Sequence, residues 1–359
     1  MTIKFLKKSN FVPKYKKAQK IRVRMRILVT GASGFIGSFI VERGLELGYE
    51  VWAAVRPSSS RKYLADGRIN FIELNFGRRD ILERQISEFA SVHGGWDCII
   101  HAAGATKCLD KNDFKRINTD GTRNFVEVLV GLNIVPRQFI YLSSLSVFGP
   151  VREQQPYTPI LDSDTPRPNT AYGISKLLAE EFLRSVPNFP YVIMRPTGVY
   201  GPRERDYYQM AVSIKQHIDF SVGYKPQTIT FIYVKDLVKA IYLAVEKGVV
   251  GRCYFVSEPR GYCSRAFSDY IQREMGVRGV LHIKAPLWVL RVISACAEWG
   301  ARLVGRPSTL NSDKYKIMKQ RNWLCDTTAL HKELGFSIDY DLERGTAETI
   351  KWYKQNKWL

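Results

Sequence analysis

The 359-residue chain is long enough for one large domain or two coupled domains with an ample core. Hydrophobic residues make up 45% of it and aromatic residues 12%, which excludes an intrinsically disordered protein. Six scattered cysteines without a Cys-x-x-Cys pair, and no apolar signal segment, predict a reduced cytoplasmic protein. The five histidines have no metal-ligand spacing, so we expect no metal site.

The formal charge of +20 raises the question of a nucleic-acid or anionic-membrane partner. Nine of the basic residues, and no acidic ones, lie in positions 1–24, so the rest of the chain carries +11. We predict that residues 1–24 form a basic tail without fixed structure, either dispensable or upstream of a true start at Met25. We expect no nucleic-acid partner; a basic arm on an anionic surface is the alternative.

After this tail, the sequence predicts a strand, a glycine-rich turn and a helix. Ile27 to Val29 indicate a buried parallel strand, and the apolar spacing from Phe35 to Leu45 indicates a helix. Gly31 permits a sharp turn, Gly34 leaves room for a pyrophosphate near the backbone, and Gly37 lets the helix lie close to the strand. The helix N-terminus offers N–H groups to the phosphates. We therefore assign to a dinucleotide site Gly31, Ser33, Gly34, Phe35, Ile36 and Gly37.

The second predicted strand, Glu50 to Val55, ends at the position that distinguishes the two nicotinamide dinucleotides. An acidic residue there accepts a hydrogen bond from the ribose 2′-hydroxyl of NAD, whereas NADP needs groups that bind a 2′-phosphate. Here Arg56 follows the strand, and Ser60 and Arg61 come shortly after, with no carboxylate among them. Guanidinium and hydroxyl groups suit a phosphate dianion, so we predict NADP as the cofactor and NAD as the alternative.

Strands and helices alternate along the rest of the chain. Apolar runs predict strands at 70–74, 97–104, 137–142 and 191–194, and the runs at 230–237 and 253–256 predict further returns to the sheet. This alternation predicts an α/β fold with a Rossmann-like, doubly wound parallel sheet. The fourth strand runs into small residues, as a dinucleotide lying across the strand ends requires. We add to the cofactor site Ala102, Ala103 and Gly104.

Two residues in the middle of the chain carry the chemistry. Tyr172 and Lys176 are four apart in a predicted helix, so their side chains project from one face. A phenol with its usual pKa of about 10 is a poor base at neutral pH, and a nearby ammonium favours the phenolate. Hydride transfer at a carbinol carbon needs a proton to leave or join the oxygen. The pair therefore predicts proton transfer at a hydroxyl or carbonyl oxygen.

These motifs occur in a recognisable order. The Gly-x-x-Gly-x-x-Gly turn behind Thr30, the Ala-Ala-Gly turn, a serine pair after the fifth strand and Tyr172-x-x-x-Lys176 resemble the extended short-chain dehydrogenase/reductase superfamily. This is the NAD-dependent epimerase/dehydratase family, and the resemblance is strongest to its 3-beta-hydroxysteroid dehydrogenase and dihydroflavonol reductase-like groups. It extends from about Met25 to Gly201 and continues more weakly to the C-terminus.

The resemblance implies roles for individual residues. Tyr172 is the acid/base, Lys176 lowers its pKa and holds the nicotinamide ribose, and Ser144 orients the substrate oxygen, with Ser143 and Ser146 as neighbours. Asn118 matches a family asparagine that supports the active-site backbone. Asn75 stands where the family usually has an aspartate that contacts the adenine amine. The cofactor site is completed by Phe76, Pro196 and Thr197.

The resemblance also implies a division of the chain and a homodimer as a possible assembly. We predict a dinucleotide-binding Rossmann domain at 25–197 plus about 231–258. A smaller C-terminal substrate-binding lobe is predicted at 198–230 plus 259–359.

Two features bear on the substrate. Family members that bind nucleotide sugars use an asparagine after the sixth strand and an arginine before a Val-x-Asp turn; here these positions hold Thr197 and Ile229, although Arg203 and Arg205 lie nearby. The segment 286–304 is strongly apolar, with Arg291, Glu298 and Arg302 in one narrow stripe. We expect a buried core helix of the substrate lobe; the alternative is an apolar lid or a face that touches a membrane.

The sequence thus predicts an NADP(H)-dependent oxidoreductase that interconverts a secondary alcohol and a ketone on a largely apolar small molecule, sterol-like, isoprenoid or flavonoid-like. One alternative is a nucleotide-sugar epimerase or dehydratase with tightly bound NAD. Another is a cofactor-binding scaffold or sensor without catalysis, which has no need of the Tyr172–Lys176 pair.

Overall fold

The computed structural model describes residues 24–304, 308 and 311–359, so the predicted basic tail lies outside the described residues except for its last position. In this part of the chain the strands are β1 (Arg26–Thr30), β2 (Glu50–Val55), β3 (Asn70–Glu73), β4 (Cys98–His101), β5 (Gln138–Leu142), β6 (Tyr191–Pro196), β7 (Gly198–Tyr200), β8 (Ile218–Val222), β9 (Thr228–Ile229), β10 (Phe231–Tyr233), β11 (Arg252–Val256), β12 (Tyr262–Cys263) and β13 (Leu281–Ala285). The helices are α1 (Phe35–Glu46), α2 (Arg79–His93), α3 (Asn112–Phe114) with a following π-helical turn (Lys115–Asp120), α4 (Gly121–Gly131), α5 (Ala171–Ser185), α6 (Asp206–Lys215), α7 (Val234–Lys247), α8 (Ala266–Met275), α9 (Leu287–Val304), α10 (Ser312–Lys319), α11 (Thr328–Leu334) and α12 (Leu342–Gln355).

Seven parallel strands form the central sheet, in the order β3-β2-β1-β4-β5-β6-β11. From β1 the chain adds β2 and β3 on one side of the sheet. It then crosses over and adds β4, β5, β6 and β11 on the other side of β1. Thr30 at the end of β1 therefore lies opposite His101 at the end of β4, where the strand order reverses. Ligands of such sheets bind in the crevice outside the carboxyl ends of the strands at this point. The predicted Rossmann-like, doubly wound parallel sheet is confirmed.

Alternate residues of the sheet pack into two separate layers. Ile27 and Val29 of β1 face the layer that includes α1, α7 and α11, whereas Leu28 faces the layer of α2, α4 and α5. All three side chains are fully buried. Burial on both faces explains why the strands are continuous apolar runs rather than alternating ones.

The segments that follow β6 form a second group of elements. Here β10 pairs with β7, β9 with β12 and β8 with β13, and α6, α8 and α12 pack around a cluster rich in aromatic rings. We predicted that the runs at 230–237 and 253–256 both return to the central sheet, but only the second does. Because β11 occupies the edge beside β6, β10 pairs with β7 in a separate two-stranded sheet.

Helix α9 differs from the buried core helix that we expected. Its side chains Trp288, Val292, Ile293 and Trp299 are exposed, with 69%, 55%, 49% and 68% of their surface accessible. Across residues 24–304 and 311–359, no helix combines the length and apolar character that crossing a membrane requires. The prediction failed because periodicity shows which residues share a face of a helix but not which face meets the protein.

Candidate active site

The turn between β1 and α1 lies tightly against the end of β4. Gly31 has a φ of +65°, and a Cβ on it would come within 2.7 Å of the Ala102 carbonyl oxygen. A Cβ on Gly37 would lie 2.1 Å from the Gly31 carbonyl oxygen, so the first turn of α1 packs directly on the loop. Larger side chains at either position would force these three segments apart.

The N-terminus of α1 is open at the same edge of the sheet. Gly34 is the exposed N-cap residue, and no side chain of the described residues caps it. The backbone N–H groups of the first turn thus lack side-chain acceptors, and together with the helix dipole they favour an anion. Ser33, Phe35 and Ile36 flank this turn and are half-buried. The chemistry of this edge fits the pyrophosphate of a dinucleotide.

A buried chain of hydrogen bonds fixes the turn after β4. Thr30 Oγ1 lies 2.8 Å from His101 Nδ1 and accepts a hydrogen bond from the Ala103 N–H at 3.1 Å. Thr122 donates its hydroxyl proton to the Asn118 carbonyl at 2.7 Å, so its oxygen accepts from His101 Nε2 at 3.1 Å. His101 therefore carries its proton on Nε2 and accepts from Thr30. Burial, followed by the charge of Lys176, lowers the pKa of His101 to about 3, which keeps the ring neutral.

The loop after β4 is also held from the helical side. Asn118, in the π-helical turn, accepts from the Ala105 N–H at 2.7 Å and donates to the Ala105 carbonyl at 3.0 Å. The same amide donates to Ser175 Oγ on α5 at 3.0 Å. A Cβ on Gly104 would lie 3.3 Å from Lys176 Nζ, so this loop passes directly over the predicted catalytic lysine.

Helix α5 brings Tyr172 and Lys176 to the carboxyl end of β5. Thr170 caps the helix by accepting from the Gly173 N–H at 3.0 Å, and this sets where the helix begins. Ser144 follows β5 and lies near the Tyr172 side chain, whose pKa it lowers. Lys176 Nζ donates to the Leu142 carbonyl at 2.7 Å and lies 4.7 Å from the centre of the Tyr141 ring.

Burial dominates the protonation of this pair. It raises the pKa of Tyr172 to about 12, against the opposing effect of Ser144. It lowers the pKa of Lys176 to about 8, against the charge of Glu180, so the lysine is still largely protonated at pH 7. We predicted that Lys176 lowers the pKa of Tyr172; burial is the largest influence on that pKa in the structure and raises it.

The predicted phosphate-binding residues lie beyond the end of β2. Arg56 and Ser60 are exposed, and the guanidinium of Arg61 stacks over the Phe71 ring at 4.3 Å. Neither arginine forms an ion pair with the acidic residues that the structure describes. Their charge is therefore available at the outer end of the crevice.

The other predicted cofactor residues follow β3 and β6. The side-chain oxygen of Asn75 accepts from the Gly77 N–H at 3.2 Å, and Phe76 packs edge-on against His101 at 5.6 Å between ring centres. Pro196 is the last residue of β6. The next hydroxyl, Thr197 Oγ1, is buried and has no hydrogen-bond partner among the described residues. Such a group needs a partner from outside the chain, which fits a bound ligand at this edge.

Arg203 has a different environment from the one expected of a phosphate ligand. It donates to Glu42 Oε1 at 2.6 Å and to Ser38 Oγ at 2.9 Å, and it stacks on the rings of Phe39 and Tyr63. Its charge is thus paired with Glu42 of α1.

Among the described residues no group of His, Cys, Asp and Glu side chains is placed to hold a metal ion.

Comparison with known proteins agrees with this geometry. A sequence profile of the NAD dependent epimerase/dehydratase family matches residues 27–257, which span the glycine turn, Tyr172, Lys176 and β11. The chain belongs to the NAD-dependent epimerase/dehydratase family. It is thus an enzyme of the extended short-chain dehydrogenase/reductase type.

Relatives within the family differ in the substrates they are named for. A putative UDP-glucose 4-epimerase of Methanocaldococcus jannaschii is 26% identical over 271 residues, covering 70% of this chain and 83% of the relative. The sterol-4-alpha-carboxylate 3-dehydrogenase (decarboxylating) of Saccharomyces cerevisiae is 22% identical and covers 91% and 97%. The Bordetella bronchiseptica enzyme WbmG, solved in complex with NAD, superposes with a TM-score of 0.73 at 21% identity, covering 94% and 96%.

A buried ion pair below the predicted catalytic residues was not anticipated from the sequence. Glu180, one turn after Lys176 on α5, accepts from Arg195 Nη2 at 2.6 Å and Nε at 3.0 Å. The same carboxylate accepts the hydroxyl proton of Ser143, next to Ser144. Arg195 also pairs with Asp162. The sequence carried a signal: Glu180 continues the four-residue spacing of Tyr172 and Lys176, and Arg195 interrupts an apolar strand.

We predict that Glu180→Gln destabilises the protein strongly. The change leaves Arg195 buried with only the largely exposed Asp162 as a counter-ion, and breaking a buried pair costs about 3–5 kcal/mol. It also removes the charge that opposes the fall in the pKa of Lys176. Chemical denaturation should show the loss, whereas Glu181→Gln, at the exposed neighbouring position, should change the midpoint little. Equal midpoints for the two variants would contradict a structural role for the ion pair.

Proposed function

We propose that this enzyme interconverts a secondary alcohol and a ketone on a largely apolar small molecule, with NADP(H) as the exchangeable cofactor. The observation that carries the proposal is the placement of Tyr172 and Lys176 on α5 together with Ser144 after β5, at the carboxyl edge of the parallel sheet and under the loop at Gly104. The proposed acid Tyr172, the substrate-orienting hydroxyl of Ser144 and the cation of Lys176 lie close together, as carbonyl reduction requires.

The proposed chemistry assigns one task to each residue. The nicotinamide, when bound, supplies or accepts the hydride. Tyr172, a neutral hydroxyl at pH 7, donates its proton to the carbonyl oxygen as the alcohol forms, and Ser144 donates a hydrogen bond to the same oxygen. The charged Lys176 stabilises the phenolate that remains. In the direction of oxidation, the phenolate accepts the alcohol proton.

We propose that the cofactor lies across the reversal point between β1 and β4. The turn at 31–37 and the N-terminus of α1 would hold the pyrophosphate, and residues 102–104 would pass beneath the dinucleotide. Asn75, Phe76, Pro196 and Thr197 would contact it at the flanking strand ends. Asn118 acts as a positioning residue, because it holds the loop at Ala105 rather than a ligand.

The charged residues near the site bear on the choice of substrate. The cleft beside the site is lined by the apolar side chains of Leu109 and Phe114 and by polar ones that include Asn311 and Asp313, and the Phe114 ring lies 6.2 Å from that of Tyr172. Three nearby basic residues are paired within the described structure: Lys107 with Asp206, Lys111 with Glu298 and Arg203 with Glu42. A nucleotide-sugar diphosphate would have to break one of these pairs, or bind the exposed Arg205, to gain a cationic partner.

A second candidate is a nucleotide-sugar epimerase or dehydratase with tightly bound NAD. The similarity to the putative UDP-glucose 4-epimerase over 70% of the chain favours it. The two candidates differ in whether the cofactor leaves after each turnover.

The purified protein should therefore contain no tightly bound NAD and should reduce apolar ketones with NADPH. Absorbance and fluorescence of the protein as isolated measure the retained cofactor, and NADPH oxidation at 340 nm measures turnover on sterol-like, isoprenoid and flavonoid-like ketones. UDP-glucose and dTDP-glucose serve as the comparison substrates. Retained NAD together with turnover of a nucleotide sugar would establish the second candidate instead.

Replacing Tyr172 by Phe should lower kcat by about 10²- to 10⁴-fold, because the variant has no proton to transfer. The dissociation constant for the cofactor should remain within about twofold, since the ring that packs in the site is retained. Tyr224→Phe, which alters an exposed phenol, is the matched control. Full activity in the Tyr172 variant would overturn the assignment of the acid/base.

The double variant Arg56→Ala/Arg61→Ala should weaken NADPH binding by about tenfold or more for each arginine, since each loses a hydrogen bond between charged groups. NADH binding should change little. Arg84→Ala, which removes an exposed charge from α2, should affect neither cofactor. If wild type binds NADH as tightly as NADPH, the proposed 2′-phosphate site is wrong.

A further inference from the structure

We propose that one face of the C-terminal lobe docks onto an anionic lipid surface. We call this face the apolar platform, and it consists of the side chains of Phe220, Tyr224, Leu281, Ile283, Trp288, Val292, Ile293 and Trp299. They belong to two short segments, 218–225 and 281–299. The proposal concerns where the enzyme resides, and it is independent of the chemistry proposed for the site.

The platform concentrates the exposed apolar surface of the described chain. Its eight members are more than half of the fifteen large hydrophobic side chains that are exposed there. Trp288 and Trp299 are 69% and 68% accessible, and Leu281 and Phe220 are 63% and 59% accessible. Isolated exposed apolar residues are ordinary, but eight of them within two segments, two tryptophans included, mark an interaction surface.

The β8–β13 ribbon presents its apolar side outward. The two strands pair in parallel with Phe220 opposite Ile283, so both side chains lie on one face. On the other face, Asp219 accepts from Ser268 Oγ at 3.0 Å and is paired with His282. The polar side of the ribbon is therefore hydrogen-bonded to α8, and the side chains of its apolar side are exposed.

Helix α9 starts two residues after β13 and also exposes apolar side chains. Trp288, Val292 and Trp299 fall within about 40° of one another at 100° per residue, and all are exposed. The buried side of the helix carries Leu290 and Ser294, and on that side Glu298 accepts from the Ser312 N–H at 3.0 Å. The more apolar face of α9 thus points away from the protein, the reverse of a helix adapted to water alone.

The unpaired charges of the two platform segments on or next to their apolar side are basic. Lys225 and Arg291 are exposed and form no ion pair with the acidic residues that the structure describes. The carboxylates of the same two segments, Asp219 and Glu298, are both engaged towards the protein. Aromatic rings that enter the headgroup region, with cations beside them, complement a bilayer that carries anionic lipid.

Charge also distinguishes this occupant from a second copy of the chain. A symmetric pair of platforms would bring Lys225 and Arg291 together from both sides, without described carboxylates to neutralise them. An anionic lipid surface neutralises them instead. We therefore take the lipid surface as the occupant, and self-association or a contact by residues 1–23 as the competing outcomes.

Co-sedimentation with vesicles tests the proposal without substrate or cofactor. The full-length protein is mixed with phosphatidylcholine vesicles containing phosphatidylserine, and separately with phosphatidylcholine vesicles alone. We expect the wild type to bind the mixed vesicles, and less so the neutral ones. Trp288→Glu/Trp299→Glu should reduce the partition coefficient at least tenfold. Lys225→Gln/Arg291→Gln should reduce it by about fivefold for each charge, at about 1 kcal/mol per basic residue.

The matched control is Val92→Glu, which adds a charge at a 76% exposed position of α2 outside the platform and should bind like wild type. All altered side chains are exposed, so the melting temperature of each variant should match that of wild type.

Wild type that stays in solution with the mixed vesicles at low salt overturns the proposal. So does unchanged binding by the tryptophan double variant. A variant lacking residues 1–23 that loses binding, while the platform variants keep it, assigns the contact to the basic tail. A concentration-dependent dimer that the tryptophan variant abolishes, without vesicle binding, assigns the platform to self-association.

Discussion

The buried ion pair between Glu180 and Arg195 is the constraint on which the arrangement of the site depends. Glu180 lies on α5 with Tyr172 and Lys176, and Arg195 lies on β6 just before the segment proposed to contact the cofactor. The Ser143 hydroxyl, at the end of β5, completes the contact. A single carboxylate therefore joins the three segments, and the desolvation of both charges is offset only while all three keep their positions. The ion pair and the Ser143 hydroxyl thus fix the relative positions of α5, β5 and β6 at the site.

A second network of hydrogen bonds fixes the positions of β1, β4 and the loop that follows β4. Thr30, His101 and Thr122 have only one arrangement of protons that satisfies every donor and acceptor, because Thr122 has already donated to the Asn118 carbonyl. The neutral ring of His101 links Thr30 to Thr122 through one hydrogen bond at each ring nitrogen. It fixes the loop that passes over Lys176 without contributing a charge of its own.

Much of the fold and of the candidate site could be predicted from the sequence. The glycine turn, the parallel sheet and the Tyr172–Lys176 face follow from local spacing, which neighbouring residues determine. Glu180 and Arg195 could not be predicted as partners, because their pairing depends on how α5 packs against β6. The pairing of β10 with β7 depends on which strand occupies the edge of the central sheet. The exposure of α9 depends on which face of that helix packs against the rest of the C-terminal lobe. Each of these is decided by tertiary packing rather than by sequence pattern.

The buried Thr197 hydroxyl has no hydrogen-bond partner among the described residues, and this has a consequence for stability. A buried polar atom without a partner lowers the free energy of unfolding. A molecule that supplies the missing partner would bind the folded chain and stabilise it further as its own concentration rises. If the proposed dinucleotide is that molecule, the melting temperature of the protein would depend on the dinucleotide concentration.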